Sequence, residues 1–241
     1  FTLHDMKEWT DFGRGGIIKK ISLYIVAKKS KYLITVSQDQ KKLIKQHLGL
    51  QSYIYPNAVS QKWLEYLSTD LRVSTIEDDK YIIYVSNFTK HKNHLDLINN
   101  NSLLNRYKLV LVGSAIDECG LSIKNDILNN PNVKVYENIS ESKLRDLVYG
   151  SSFVVFPSLY EGYGMPILES IALNKRVLIS DKLILSHFDD CELVKRVSFA
   201  KGVSKKDIIW AENSIVYDKS NIEYLIRWNE ISKKINNLLV S

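Results

Sequence analysis

The chain has 241 residues, 45% of them apolar and 25% charged, and its formal net charge is +6. These values are ordinary for a globular protein, and the length allows one large domain or two small ones. No apolar run approaches the roughly 20 residues that cross a bilayer. The only two cysteines, Cys119 and Cys191, are far apart. Their distance excludes a metal-ligand spacing and a disulfide framework, and it favours a reducing, cytoplasmic location.

The first sixty residues predict part of an α/β domain. A helix near Gly16–Lys29 precedes a strand at Tyr32–Val36, and a second helix over Asp39–Leu48 ends before a glycine, a natural helix stop. A short strand follows at Tyr53–Tyr55. Two or three strands are too few for an independent sheet domain. We therefore expect residues 1–60 to be the C-terminal part of a domain whose upstream half is absent, or to pack on a second domain; Phe1 in place of Met points the same way.

From about residue 80, short apolar runs alternate regularly with amphipathic stretches. The predicted strands are Tyr81–Ser86, Lys108–Gly113, Val133–Tyr136, Phe153–Phe156 and Arg176–Ser180. The predicted helices lie near Lys92–Asn100, Ser122–Leu128, Glu141–Tyr149, Pro166–Leu173 and Leu183–Asp189. Continuous Val, Ile and Leu runs between helices indicate a doubly wound parallel sheet that is covered on both faces. Ligands bind such sheets at the carboxyl ends of the strands.

The flanks of this alternating region are less regular. Residues 61–79 predict a linker with one or two helical turns, and Ser214–Tyr217 is a candidate strand. A helix capped by Asn221 should run to about Leu239. The predicted division is therefore 1–60, linker 61–79, main domain 80–217 and C-terminal helix 218–241.

A basic stretch extends from Arg14 to Lys45, with nine Lys or Arg residues and a single acidic residue, Asp39. One interpretation is a solvated helix face. The other is attraction to an anionic lipid surface or to a phosphorylated acceptor. No recognition motif for nucleic acid accompanies the charge, so we predict no nucleic-acid partner.

Two carboxylates, Glu161 and Glu169, flank a glycine-bearing turn and a proline. Pro166 suits the first turn of a helix, which would place Glu169 in that turn at the carboxyl edge of the sheet. Glycines beside a helix N-terminus leave N–H groups accessible to a diphosphate or a sugar. There Glu169 can accept both hydroxyls of a ribose, and Glu161 can bind sugar hydroxyls. The alternative is a helix start stabilised only by its dipole.

This run resembles the E-x7-E motif of the retaining GT-B glycosyltransferases of group 1, the GT4 family. Further segments resemble that family in the same order: Thr2–Asp5 its histidine-bearing loop, Ile34–Ser37 its "ITVS" strand, Tyr55–Val59 its hinge entry, Tyr84–Ser86 with Lys92 its "YVG…RKN" segment, and Leu111–Gly113 its "LVG" strand. The matches extend from residue 2 to about residue 180. The resemblance implies a GT-B fold with two Rossmann-like domains, of which residues 1–60 would be the end of the acceptor-side one.

The resemblance also implies roles for individual residues. Glu169 would hold the donor ribose, and Glu161 would hold the donor sugar together with three backbone amides. Lys92 would neutralise the leaving diphosphate, and His4 would approach the transferred sugar. The remaining donor contacts would come from Tyr163, Gly164 and Met165 through their amides, Ile139 beside the base, and Asn87, His91 and Gly113 around the diphosphate. The donor would be a nucleoside-diphosphate sugar, the acceptor a carbohydrate or a lipid-linked saccharide, and no cofactor or metal would be required; no Asp-x-Asp pair occurs in the chain.

The chain departs from the family pattern at several positions. Asn87 and His91 stand where the family often has arginine, which softens the expected phosphate contacts, and Ala58 replaces the hinge glycine. Three hypotheses remain: a retaining sugar transferase of polysaccharide or glycolipid assembly near the inner membrane face, a partner-dependent module that binds nucleotide sugar without turnover, and a related nucleotide-sugar 2-epimerase. The residues do not identify the base, the sugar or the acceptor.

Overall fold

The computed structural model describes residues 1–9, 16–66, 80–213 and 228–240. Its elements are β1 (Thr2–Leu3), α1 (Ile17–Lys29), β2 (Ile34–Thr35), α2 (Gln38–Leu48), β3 (Tyr53–Ile54), α3 (Gln61–Glu65), β4 (Tyr81–Val85), α4 (His94–Ile98), α5 (Asn101–Leu104), β5 (Lys108–Val112), α6 (Glu118–Leu128), β6 (Val133–Tyr136), α7 (Glu141–Gly150), β7 (Val154–Phe156), α8 (Met165–Ala172), β8 (Val177–Ser180), β9 (Val194–Val197), α9 (Lys205–Glu212) and α10 (Trp228–Val240). Short 3-10 helices lie at Lys7–Trp9, Lys90–Lys92 and Ser186–Phe188.

The larger sheet confirms the predicted doubly wound architecture. Its strand order is β6-β5-β4-β7-β8-β9, and every neighbouring pair is parallel. The chain moves outward from β4 to β6, crosses back to β7 beside β4, and then moves outward in the other direction. Since crossovers between parallel strands are right-handed, helices cover both faces. The connections after β4 and β7 diverge, so a crevice opens above these two neighbouring strands.

The first residues form a smaller sheet of three parallel strands in the order β1-β2-β3. Successive right-handed crossovers place α1 and α2 on one face of it. A separate apolar cluster joins Leu3 and Leu33 of the sheet to Ala27 of α1 and to Ile44 and Leu48 of α2. The core of the larger sheet extends to the hinge entry, where Val59, Trp63 and Tyr66 pack against it. The predicted domain boundaries themselves stay a prediction.

The five strands predicted for the larger sheet are confirmed to within one residue at each end. Among the helices, α6 begins at Glu118, four residues before the predicted start, and two others differ more strongly. The helix predicted near Leu183–Asp189 is wrong, because only Ser186–Phe188 forms a 3-10 turn. There the carbonyl of Leu183 accepts a hydrogen bond from the Arg196 guanidinium rather than from a helical N–H.

The helix predicted near Lys92–Asn100 is divided into the 3-10 turn and α4. Asn93 between them has a φ of 57°, and its side-chain amide donates to Asp96 at 2.9 Å and to the carbonyl of Pro157 at 3.3 Å. The sequence pattern does not predict β1, α5, β9 or α9. The candidate strand Ser214–Tyr217 and most of the linker, residues 67–79, lie outside the described residues, whereas α10 falls within the predicted C-terminal helix.

Candidate active site

The carboxyl ends of the larger sheet gather most of the predicted site residues. Asn87 and Lys92 follow β4, Gly113 follows β5, Ile139 follows β6 and Glu161 follows β7. All strands of this sheet are parallel, so these segments meet along one edge. The two charged residues flank the crevice above β4 and β7, where the strand order reverses.

An ion pair occupies that crevice. Lys92 Nζ lies 2.5 Å from Glu161 Oε1, and the two side chains are only 18% and 12% exposed. Below the pair, the Tyr84 hydroxyl donates to the carbonyl of Lys92 at 2.9 Å and lies 2.7 Å from the Ser158 hydroxyl. Burial, and to a smaller extent the charge of Glu161, raises the pKa of Tyr84, so this phenol stays neutral. The Tyr84 hydroxyl next to the ion pair is therefore neutral and hydrogen-bonded.

The helix after Glu161 begins as the proline predicts. Gly164 has a φ of 84° and precedes α8, whose second residue is Pro166. The Tyr163 ring is buried and stacks on the His187 ring with centroids 4.5 Å apart, and its carbonyl lies 2.9 Å from His187 Nε2. The aromatic side chain is thus committed to packing. At the carboxyl edge of the sheet, the N-terminus of α8 is formed by the backbone of Tyr163, Gly164 and Met165.

Glu169 lies in the second turn of α8, not in the first turn as predicted. Burial, with a smaller contribution from Glu141, raises the pKa of its carboxyl to about 7. Across residues 1–9, 16–66, 80–213 and 228–240, no side chain forms a hydrogen bond or an ion pair with this carboxyl. A partly buried carboxyl that lacks such partners is stabilised by a ligand whose hydroxyl groups donate hydrogen bonds to it.

The remaining predicted donor-binding residues differ in burial and in their contacts. His91 is buried, and its Nδ1 lies 3.1 Å from the Thr89 hydroxyl. Asn87 is exposed and accepts from the Ser114 amide at 3.2 Å, which joins the loops after β4 and β5. Ile139 is half-buried beside the core, immediately before the Ser140 cap of α7.

Gly113 permits a very close approach of the chain. A Cβ there would lie 2.0 Å from the carbonyl oxygen of Ser86, and its φ is 157°. Glycine at position 113 is therefore required by the close packing between the ends of β4 and β5.

The histidine-bearing loop of the smaller sheet reaches the same site. His4 is exposed, and its carbonyl oxygen would lie 2.8 Å from a Cβ at Gly162. The next loop residue but one, Met6, donates its amide to the Tyr160 hydroxyl at 3.0 Å and to Gln40 Oε1 at 2.9 Å. The backbone of His4 therefore lies next to the turn that carries Glu161.

Two residues that the sequence analysis missed join the sheets beside this turn. Asp39 in the first turn of α2 accepts hydrogen bonds from the Ser186 amide at 2.8 Å and from the Ser186 hydroxyl at 2.9 Å. No pattern in the sequence marks either residue, because they lie 147 positions apart. A cavity of about 430 Å³ adjoins the contact. It is lined by Asp39, Gln40, Lys42, Leu43, Gln46, Leu159, Tyr160, Glu161, Lys182 and Ile184.

The described residues contain neither a metal-binding cluster nor a membrane-spanning helix. Within the described ranges, no group of three or more His, Cys, Asp or Glu side chains is arranged to hold a metal ion. In these ranges there is also no helix with both the length and the apolar character needed to span a membrane.

A match to a known protein family covers most of the larger sheet. The sequence pattern of the family described as Glycosyl transferases group 1 matches residues 68–188, about half of the chain. The chain belongs to the group 1 glycosyltransferases. The matched region includes both glutamates of the motif, Lys92 and the strands that carry them.

A curated relative and several solved structures resemble the chain. The O-antigen chain mannosyltransferase RfbU of Salmonella typhimurium is 24% identical over 188 residues, which are 75% of this chain and 51% of RfbU. The chain thus spans about half the length of this curated relative.

The structural likenesses concern the fold alone. Sucrose-phosphate synthase of Thermosynechococcus elongatus has a TM-score of 0.74 at 17% identity, over 99% of this chain and 66% of that one. A Rickettsia africae glycosyltransferase has a TM-score of 0.70 at 16% identity, over 98% and 68%. HepE of Anabaena, solved with UDP and glucose, has a TM-score of 0.69 at 12% identity, over 100% and 71%. These neighbours agree with the GT-B architecture.

Proposed function

We propose that this chain forms the donor side of an enzyme that transfers a sugar from a nucleoside-diphosphate sugar to a carbohydrate or lipid-linked acceptor. The observation that supports it most directly is the partly buried ion pair of Lys92 and Glu161 in the crevice beside α8. The name of the RfbU relative adds the assembly of surface polysaccharide as the setting.

Lys92 and the start of α8 would act on the diphosphate. The first N–H groups of a helix lack partners within the helix and carry its positive dipole end. The ammonium of Lys92 adds a full positive charge, which the neighbouring carboxylate of Glu161 orients. Donors placed in advance where negative charge develops stabilise the departing diphosphate without reorganisation.

Glu161 and Glu169 would orient the donor. The carboxyl of Glu169 would accept hydrogen bonds from ribose hydroxyls, and Glu161 would accept them from the hydroxyls of the transferred sugar. We propose retention of configuration as for the GT4 enzymes, with the acceptor attacking the face from which the diphosphate leaves and the leaving phosphate taking the acceptor proton. This reaction needs no protein nucleophile, so catalysis depends mainly on positioning.

The acceptor would enter from the side of the smaller sheet. His4 lies against the Glu161 turn, and the cavity of about 430 Å³ opens between α2 and that turn. Its lining combines the apolar Leu43 and Ile184 with the cationic Lys42 and Lys182. This composition suits a saccharide acceptor that carries phosphate or a lipid diphosphate.

A second candidate function is a module that holds nucleotide sugar but does not turn it over. The specific observation in its favour is that Asn87 and the buried His91 stand where the family often has arginine, so fewer cations are available to the diphosphate. A 2-epimerase fits less well, because the family that matches residues 68–188 is one of glycosyltransferases.

Calorimetric titration with UDP, GDP and ADP tests donor binding. We expect one of the three to bind much more tightly than the others and Glu169→Ala to weaken that binding at least tenfold. The matched control is Glu192→Ala, another glutamate but exposed and outside the crevice. Absence of binding by all three nucleotides would contradict the proposal.

Proton NMR of the anomeric signal then tests turnover. With the matching nucleotide sugar, slow hydrolysis or transfer should yield a product with the anomeric configuration of the donor, and Glu161→Ala should abolish it. We expect no loss of rate in EDTA. Tight binding without turnover would favour the module, whereas conversion of the donor sugar without an acceptor would favour the epimerase.

A further inference from the structure

Gln40 in the first turn of α2 lies between two segments of the candidate active site. It is only 2% exposed, although its side chain is polar. Its Oε1 accepts a hydrogen bond from the Met6 amide at 2.9 Å, and its Nε2 donates a longer one to the Glu161 carbonyl at 3.4 Å. Met6 belongs to the loop that carries His4. One side-chain amide therefore joins the histidine-bearing loop of the smaller sheet to the glutamate turn of the larger one.

The cap of α2 shows that this side chain serves contacts outside its own helix. Ser37 caps α2, and its hydroxyl accepts a hydrogen bond from the Gln40 amide N–H at 3.2 Å. Serine followed three positions later by glutamine is the capping-box pattern, in which the glutamine side chain returns to the N–H of the cap residue. Here the Gln40 side chain bonds to Met6 and Glu161 instead. A local capping role therefore does not account for this buried glutamine.

The loop and the turn that Gln40 joins are also in direct backbone contact. A Cβ added to Gly162 would lie 2.8 Å from the His4 carbonyl oxygen, so only glycine leaves room for the loop at this point. The Met6 amide also donates to the Tyr160 hydroxyl at 3.0 Å, and the Met6 side chain is fully buried. The relative position of the loop and the turn therefore depends on a few hydrogen bonds around Met6.

We propose that Gln40 is a positioning residue for sugar transfer, which touches no reacting atom but sets the distance between His4 and Glu161. The inference rests on the proposed function, in which these two residues contact the transferred sugar. Gln40 acts on them through the Met6 amide, two residues from His4, and through the Glu161 carbonyl. A displacement of about 1 Å in such an arrangement can cost about 10²-fold in rate. Donor binding should change less, because Lys92 and α8 both belong to the larger sheet.

Hydrogen exchange of single amides, followed by NMR on the whole chain without ligand, tests the contact itself. Gln40→Met removes the acceptor and the donor at similar side-chain length, so the Met6 amide should exchange about five- to tenfold faster. The amide of the buried Leu178 in the larger sheet should be unchanged. The matched control is Gln38→Met, which replaces an exposed glutamine of the same helical turn and should leave Met6 exchange unchanged. Unchanged Met6 exchange in Gln40→Met, or an equal rise at Leu178, would overturn the inference.

Steady-state kinetics with the matching nucleotide sugar separates positioning from a merely structural role. We expect Gln40→Met to lower kcat about tenfold or more, whereas KM for the nucleotide sugar should change less than about twofold. Gln40→Glu retains an acceptor for the Met6 amide, so it should restore slow exchange of that amide and recover part of kcat. Urea denaturation checks that each variant is folded.

The outcomes for Gln40 and for sugar transfer can be told apart. A raised KM with an unchanged kcat in Gln40→Met would show that Gln40 supports donor binding and would overturn the positioning role. A wild-type protein that binds the nucleotide sugar without turnover would refute the proposed transfer. In that case the exchange rate of the Met6 amide still decides whether Gln40 joins the loop to the turn.

Discussion

At the scale of single residues, Glu169 couples donor binding to protonation. Burial first, and Glu141 second, raise the pKa of its carboxyl to about 7. A ribose whose hydroxyls donate to the carboxylate prefers the ionised form, so binding should release a proton. Apparent affinity then follows the ionised fraction.

The affinity for the nucleotide sugar should rise by up to about tenfold between pH 6 and pH 8, as the ionised fraction of Glu169 rises from about one tenth to about nine tenths. The nucleotide sugar itself, a diphosphate diester, does not titrate in this range. Calorimetry at four pH values measures the effect. Glu169→Gln should show a flat profile, and an equal slope in both proteins would refute the coupling.

The same residue should lower folding stability. A carboxyl with a raised folded pKa holds a proton in the folded state between about pH 4.5 and pH 7, so stability is lost as the pH rises through that window. We expect Glu169→Gln to increase the free energy of unfolding by about 1–3 kcal/mol at pH 8 and much less at pH 4.5. Urea denaturation at both pH values measures it, and a gain that does not depend on pH would exclude this cause.

Lys92 should matter for turnover far more than for folding. Removing a positioned charge from the diphosphate site should lower kcat/KM about 10²–10³-fold in Lys92→Ala, and Lys92→Arg should recover part of it. The control is Lys90→Ala, which removes an exposed lysine from the same 3-10 turn. A comparable loss in both variants would show that general surface charge, not the ion pair, is responsible.

At the scale of elements, the edge of the larger sheet depends on backbone contact between loops. Gly113 at the end of β5 approaches Ser86 at the end of β4, and Gly120 in α6 approaches Phe88, with a hypothetical Cβ at 2.0 Å and 2.2 Å from the respective carbonyl oxygens. These contacts fix the position of the loop that carries Lys92 relative to the sheet.

Gly113→Ala should reduce the free energy of unfolding by about 2–3 kcal/mol, because the methyl group forces the two strand ends apart and strains the backbone. Chemical denaturation measures this loss. Gly16→Ala is the control, since no atom lies within 4 Å of its added Cβ, and it should change stability by less than about 0.5 kcal/mol. Similar values for both would contradict the close-approach explanation.

At the scale of the whole molecule, one buried carboxylate connects the two sheets. Asp39 accepts from both the amide and the hydroxyl of Ser186, beside the cavity and the Glu161 turn. Breaking this contact should loosen the smaller sheet against the larger one and enlarge the crevice.

A double-mutant cycle of Asp39→Asn and Ser186→Ala should give a coupling free energy of about 1–2 kcal/mol. The exposed hydrogen bond from Ser60 to Glu141, 3.3 Å long, provides the comparison and should couple by less than about 0.5 kcal/mol. A coupling near zero for the Asp39 pair would show that the sheets are held by apolar packing instead.

The sequence by itself determined the elements that repeat a local pattern. Continuous apolar strands such as Tyr81–Val85 and Val177–Ser180 are buried at every position except Val85, so their apolar runs and turn signals are sufficient to predict them. The glycine turn and Pro166 likewise predict the start of α8, because capping and dihedral preferences act within a few residues. The same local signals predict the position of Glu161 in the turn after β7, whereas Glu169 lies one turn further along α8 than predicted.

Only the tertiary structure decided the features that depend on distant partners. The edge strand β9 has two charged residues in its centre; it pairs with β8, and Lys195 and Arg196 form ion pairs with Asp207 and Asp189. The Arg196 guanidinium also donates a hydrogen bond to the Leu183 carbonyl, at the start of the segment where a helix was predicted and only a short turn forms. The ion pair of Lys92 and Glu161 spans 69 positions of sequence. Local patterns determine which elements form, whereas long-range hydrogen bonds and charges determine which side chains meet, because neither leaves a periodic trace in the chain.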